Sequence, residues 1–218
     1  MPRSTTRAAA AARPLAHLRE HTMPAPKLLL HPVDPDTAAV PEDRLARELR
    51  AIGLIGGGMP LGKAVFYPVG EQFLQLVTFL GCSPAIELDP PDDPQELEKA
   101  SAAGRFCHVF ISSGEQLRFR GNSQTRTPRC PRCRSPEPDW KTRLQVWQEG
   151  KQGPDWTCQA CGFCGSLTDL VFRKTAGFSR TFLEIRGIYP AEAVPGPTLL
   201  DTLASLTGTP WTTIYLRE

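Results

Sequence analysis

Apolar positions recur with a helical period in several well-bounded stretches. In "PEDRLARELRAIG", Leu45, Leu49 and Ile52 share one face between Pro41, followed by two acids, and Gly53, a pattern that predicts an amphipathic helix. "PQELEKASAAG" predicts a short helix starting at Pro94. "PGPTLLDTLASLTG" predicts another, with Leu199, Leu200, Leu203 and Leu206 on one face and a stop at Gly208. The most apolar stretch is "GEQFLQLVTFLGCSPAIELDPP". There Phe73, Leu74, Leu76, Val77 and Leu80 form a helical stripe that stops at Gly81, with a strand as the alternative because of Val77 and Thr78, and "AIEL" reads as a short strand.

Alternation marks the strands. "FCHVFI" and "QLRFR" read as a pair joined by a hairpin turn at "SSGE", "LTDLVFRK" and "TFLEIRGIYP" as strands around a turn at "TAGFSR", and "WTTIYL" as the last strand. Helices mix with hairpins and no regular βαβ repeat emerges, so the expected class is α+β, mixed helices and antiparallel hairpins. Residues 1–40, broken by Pro24, Pro26, Pro32 and Pro35, read as an unstructured or extended leader. Residues 41–218 then form a single domain, with a lobe over 128–175 inside it.

Composition sharpens this picture in a few places. A formal charge of +2 is that of an ordinary soluble protein, and no apolar run approaches the ~18–20 residues of a membrane-spanning helix. The arginine- and alanine-rich start lacks the apolar region of a secretory signal, and Met23 is an alternative start to Met1. Seven cysteines, an odd number and mostly clustered, fit a reducing, cytoplasmic setting rather than a disulfide framework.

That cluster carries the chemistry. Cys130-Pro-Arg-Cys133 and Cys158-Gln-Ala-Cys161 are two CxxC hooks, and two hooks can present four thiolates to one tetrahedral ion. The gap between them, Arg134 to Thr157, has room for a compact helix. Trp140, Leu144 and Trp147 recur at helical spacing there, with Asp139 near the start and Gly150 at the end, so both tryptophans are expected beside the metal. Cys161 and Cys164 make a further CxxC, which leaves Cys164 as an alternative ligand. The hooks resemble the knuckles of zinc ribbons, with Pro131 and Gly162 in keeping. They also resemble the iron site of rubredoxins, which makes iron the alternative to zinc, and with it electron transfer.

The other cysteines and the histidines are weaker signals. Cys82 is either a small core residue or a reactive loop thiol; His108 reads as a core or surface histidine whose neighbour Cys107 points to the opposite face. His17, His21 and His31 carry no assignment. "LIGGGMPLGK" matches G-x-x-x-x-G-K at Gly57, Gly62 and Lys63. However, Ala64 replaces the Ser or Thr that holds magnesium, and a β-like stretch follows where a phosphate loop feeds a helix.

Three functions remain in view. No serine–histidine–carboxylate set, HExxH or dinucleotide fingerprint is present, and four protein ligands close a zinc site, so a structural metal and a non-enzymatic role are expected, with a protein partner for an interaction or adaptor module. From Arg105 to Arg134 there are seven arginines against one acid, Glu115. Of these, Arg118, Arg120, Arg126, Arg129, Arg132 and Arg134 lead into and through the first hook. They offer a surface to a partner or, as zinc-ribbon lobes imply, to RNA or DNA. A small-molecule substrate is not expected.

Overall fold

The computed structural model describes residues 25–80, 86–150, 156–189 and 191–217. In chain order the elements are β1 (Pro26–Pro32), α1 (Glu42–Ala51), β2 (Met59–Leu61), β3 (Ala64–Pro68), α2 (Phe73–Leu76), β4 (Val77–Phe79), α3 (Pro94–Ala103), β5 (His108–Arg120), α4 (Trp140–Gln148), β6 (Trp156–Thr157), β7 (Cys164–Gly165), β8 (Gly177–Arg186), β9 (Ala193–Pro195), α5 (Pro197–Thr207) and β10 (Trp211–Arg217). The class is α+β. A six-stranded sheet in the order β10-β1-β8-β5-β3-β2 forms the frame, with β4–β9 and β6–β7 as small separate pairs.

The leader boundary moves. Pro26–Pro32, expected within residues 1–40, is extended, but it is an inner strand paired antiparallel to β10 on one side and β8 on the other. Its two prolines sit at the strand's ends, where a missing N–H costs least, and Leu28, Leu29 and Leu30 between them are buried. Met23 and the residues before it, including His17 and His21, lie outside the described residues, as does Cys82.

Alternation along this sheet sorts the core. Leu28 and Leu30 of β1, Val109 of β5, and Leu183 and Ile185 of β8 point to one face, where Leu45 and Leu49 of α1 and Leu199 and Leu203 of α5 cover them. Leu29, Phe182, Ile214 and Leu216 cluster on the other. The expected helices at 41–53 and 94–103 are present. The second is capped by Asp93, whose side chain accepts the Glu96 N–H, and closed by Gly104 in the left-handed region.

Three other expectations change. The stripe from Phe73 gives only one helical turn before Val77 turns into β4, which pairs with β9, so the strand alternative holds for its second half. Ile86–Leu88 packs on the core without forming a strand. Most importantly, "FCHVFI" and "QLRFR" are not a hairpin. They are the two ends of β5, both paired with β8, and between Ser113↔Thr181 and Arg118↔Ser179 the register shifts in a wide bulge. Side chains satisfy the bulge's backbone: Arg118 donates to the carbonyls of Ser112 and Arg180, at 2.8 and 2.7 Å, and Arg180 donates to Glu115 at 3.1 Å. Likewise "TAGFSR" is no turn, since β8 already begins at Gly177, and "LTDLVFRK" holds a 3-10 turn at Leu167–Asp169 and a single bridge from Val171 to Arg129.

The end of "LIGGGMPLGK" forms β2 and the turn of the β2–β3 hairpin, so Lys63 sits in a turn and does not open a helix. Gly187 closes β8 at φ +80°, and an added Cβ would stand 2.6 Å from the Phe106 carbonyl oxygen and 2.9 Å from its carbon. Gly187→Ala is therefore expected to cost roughly 3 kcal/mol, the left-handed penalty plus overpacking against rigid backbone. Urea unfolding checks this, and a loss below about 1 kcal/mol would mean the strand end yields freely.

Candidate metal centre

The two hooks are built alike. In the first, the Cys130 N–H donates to Ser135 O at 2.9 Å and the Arg134 N–H to Cys130 O at 3.0 Å. In the second, the Cys158 N–H donates to Phe163 O at 2.8 Å and the Gly162 N–H to Cys158 O at 2.9 Å. The residue after each second cysteine is left-handed, Arg134 at φ 64° and Gly162 at φ 69°. Glycine suits that conformation; at Arg134 the surrounding turn imposes it on a side chain that strains against it. Each knuckle thus wraps its backbone around its cysteine sulfurs.

The hooks meet face to face. Sulfurs of Cys130, Cys133, Cys158 and Cys161 all lie within 4.8 Å of one another. Across the pairs, Cys130 to Cys161 is 3.8 Å and Cys133 to Cys158 is 3.6 Å. Four Zn–S bonds of about 2.3 Å in a tetrahedron put sulfurs about 3.8 Å apart, so the set fits a tetrahedral ion. It does not fit disulfides, which need about 2.05 Å. The donor set is all sulfur, which suits zinc and iron alike. Cys164 is outside it: exposed, its sulfur lies 3.4 Å from the Thr157 hydroxyl, on the strand pair β6–β7.

Protons are shared unequally among the four. Hydrogen bonds from the Ser135 side chain and then its backbone lower the Cys133 thiol to about 6. Cys161 accepts the Phe163 backbone N–H, which favours its thiolate, yet lost solvent and the three surrounding sulfurs carry it up to about 12. Four adjacent thiolates repel one another, and a cation at their centre removes that cost. Cys107, in the main core, is pushed up to about 12 by burial and then by Glu192, and is inert by comparison.

The gap between hooks folds as the spacing predicts. α4 occupies it, and Trp140, Leu144 and Trp147 join Trp156, Leu170, Phe172 and Phe178 around buried Cys130 and Cys158. Glu137, itself buried, accepts from Arg143 at 3.3 Å and ties α4 to the first knuckle. Trp156 donates its indole N–H to Ser166 O at 2.8 Å, bracing the second. Phe119 of β5 and Phe178 of β8, 5.0 Å apart, carry the cluster onto the sheet.

The arginines divide. Arg126, Arg132 and Arg134 are exposed around the first hook, while half-buried Arg129 donates to the Arg134 carbonyl at 2.9 Å and holds that knuckle. Arg118 and Arg120 lie far along β5, both over the Phe182 ring at 5.9 and 5.8 Å. Asn122 and Thr125, between these groups, anchor the loop: Asn122 donates to Arg217 O at 2.8 Å and Thr125 to Thr175 O at 3.2 Å.

Two buried histidines lie outside the centre, and sequence reasoning placed only one of them. His108, with Nε2 2.8 Å from Ser101 Oγ and Nδ1 3.0 Å from Phe106 O, is a core residue on the face opposite Cys107. His31, on β1, has Nδ1 2.7 Å from Pro32 O. Among the described residues no helix is long and apolar enough to cross a membrane. No family model, curated protein or solved structure matches the chain.

Proposed function

We propose that this is a non-enzymatic zinc protein, an interaction or adaptor module in which a four-cysteine structural centre holds a lobe of residues 128–175 against the sheet for recognition by a protein partner in a reducing compartment such as the cytoplasm. The observation that supports it is closure: four sulfurs at tetrahedral separations leave no ligand position for a substrate. The aromatic cluster behind them ties the ion to the shape of the lobe rather than to a cleft. Cross-linking of the full chain in its host, with metal analysis of the purified protein, is the test. A protein cross-linked to the intact chain and lost on Cys130→Ser supports the reading; iron in place of zinc, with a red or brown colour, replaces it with electron transfer.

Exposed Arg126, Arg132 and Arg134 favour nucleic acid as a second reading. It requires RNA or DNA binding that weakens steeply with salt and loses part of that slope in Arg126→Gln/Arg132→Gln.

A further inference from the structure

Half of β5 is open on one side. β8 pairs with it along both ends, but on the other side β3 reaches only His108 and Val109, so among the described residues no strand flanks 116–120. This edge borders an open groove of about 660 Å³, with Trp147, Gln148 and Gly150 at the end of α4 on the far side. The strand's alternation gives the groove two unlike walls. Leu117 and Phe119 join the aromatic cluster that contains Trp147. Arg118 and Arg120 turn the other way, over Phe182. Among the described residues Lys27 and Arg186 stand on that same face, both paired with Glu184, which burial would raise but which Lys27, Arg186 and Arg120 hold lowered, and Glu42 acts on Arg118. Among these groups four cations stand against two acids, and Arg120 Nε is buried without a hydrogen-bond partner.

We infer that the β5 edge binds an extended acidic segment of a protein partner by strand addition. The inference rests on the binding-module reading above and names its surface. A strand edge offers N–H and C=O groups that only another peptide backbone matches in register. Five edge residues span about 17 Å, enough for roughly five partner residues. Side chains of an added strand alternate like those of its neighbour. A carboxylate at every second position therefore meets Arg120, with Arg118, whose donors hold the bulge, adding charge beside it, and apolar side chains between them meet Leu117, Phe119 and Trp147. Charge selects the segment, and backbone pairing sets its register.

The test uses the full, metal-loaded chain and a fluorescent heptapeptide of alternating aspartate and valine, read by anisotropy. Binding is expected. It should weaken about ten-fold or more in Arg120→Glu, as for loss of a charge-assisted contact, and be absent for the lysine–valine peptide. Peptides N-methylated at alternate backbone nitrogens, in the two possible phases, probe the edge without altering the protein: one phase should abolish binding and the other spare it. No binding up to about 1 mM, the weakest affinity worth assigning, overturns the inference. So does equal binding by both methylated phases, or tighter binding of a single-stranded oligonucleotide that is lost in Arg120→Glu. A partner cross-linked in the host at residues away from 116–120, and unaffected by Arg120→Glu, overturns this surface while leaving the module reading standing.

Discussion

Removing the metal from the four-cysteine centre is expected to unfold the lobe of residues 128–175 and leave the main sheet folded. Metal binding at such sites supplies an apparent ~10–16 kcal/mol at neutral pH, as much as the whole net stability of a typical domain. Besides the aromatic cluster that reaches Phe119 and Phe178, little secondary structure holds the described residues of this lobe. Its strand pair β6–β7 has two residues a side, and its first knuckle is tied to the second half by one bridge, Arg129 to Val171. The main core, by contrast, is a separate cluster under α1 and α5. Cys130→Ser and Cys158→Ser should each abolish stoichiometric metal, whereas Cys164→Ser should retain it. Trp140, Trp147 and Trp156 lie in the lobe and Trp211 in the main core, so tryptophan emission should shift strongly to the red while the sheet's circular dichroism persists. Equal metal loss in all three variants would place Cys164 among the ligands; an unchanged emission spectrum after chelation would mean the aromatic cluster stands without the ion.

Local chemistry made the metal centre legible. Hook spacing, the left-handed glycine after Cys161 and the period of Trp140, Leu144 and Trp147 are all short-range signals, and the four sulfurs converge as they imply. What escaped is set by long-range pairing. β1 looks like a proline-broken leader because its justification, β10, lies at the other end of the chain, with Pro26 opposite Arg217 and Pro32 opposite Trp211. "SSGE" has the composition of a turn, and β5 runs through it only because β8 pairs with both ends and Arg118 and Arg180 satisfy the bulge. The arginines divide for the same reason: that strand carries Arg118 and Arg120 onto the sheet, away from the hook.

That pairing also explains the second large expected effect, a steep loss of stability in mild acid. His31 on β1 and His108 on β5 are both buried, and burial lowers each from 6.5 to about 4. Backbone carbonyls of Pro32 and Phe106 pull the other way without winning, and at His108 Arg186 adds to the lowering while Glu184 opposes it. Unfolding releases both imidazoles to water, where they protonate near 6.5. Between pH 6.5 and 4 the unfolded chain thus binds more protons, so stability is complete above 6.5 and is lost as pH falls toward 4. Each histidine contributes roughly 3 kcal/mol to that loss. Because acid also protonates metal-binding thiolates, metal release must be followed in parallel with a colorimetric chelator. His108→Gln keeps a partner for Ser101 without the titration, so it should lower stability at pH 7 yet flatten the decline by about half. A variant that declines as steeply as the unaltered protein would show that the His108 imidazole takes up its proton at the same pH in both states, and that the acid response belongs to His31 and the thiolates.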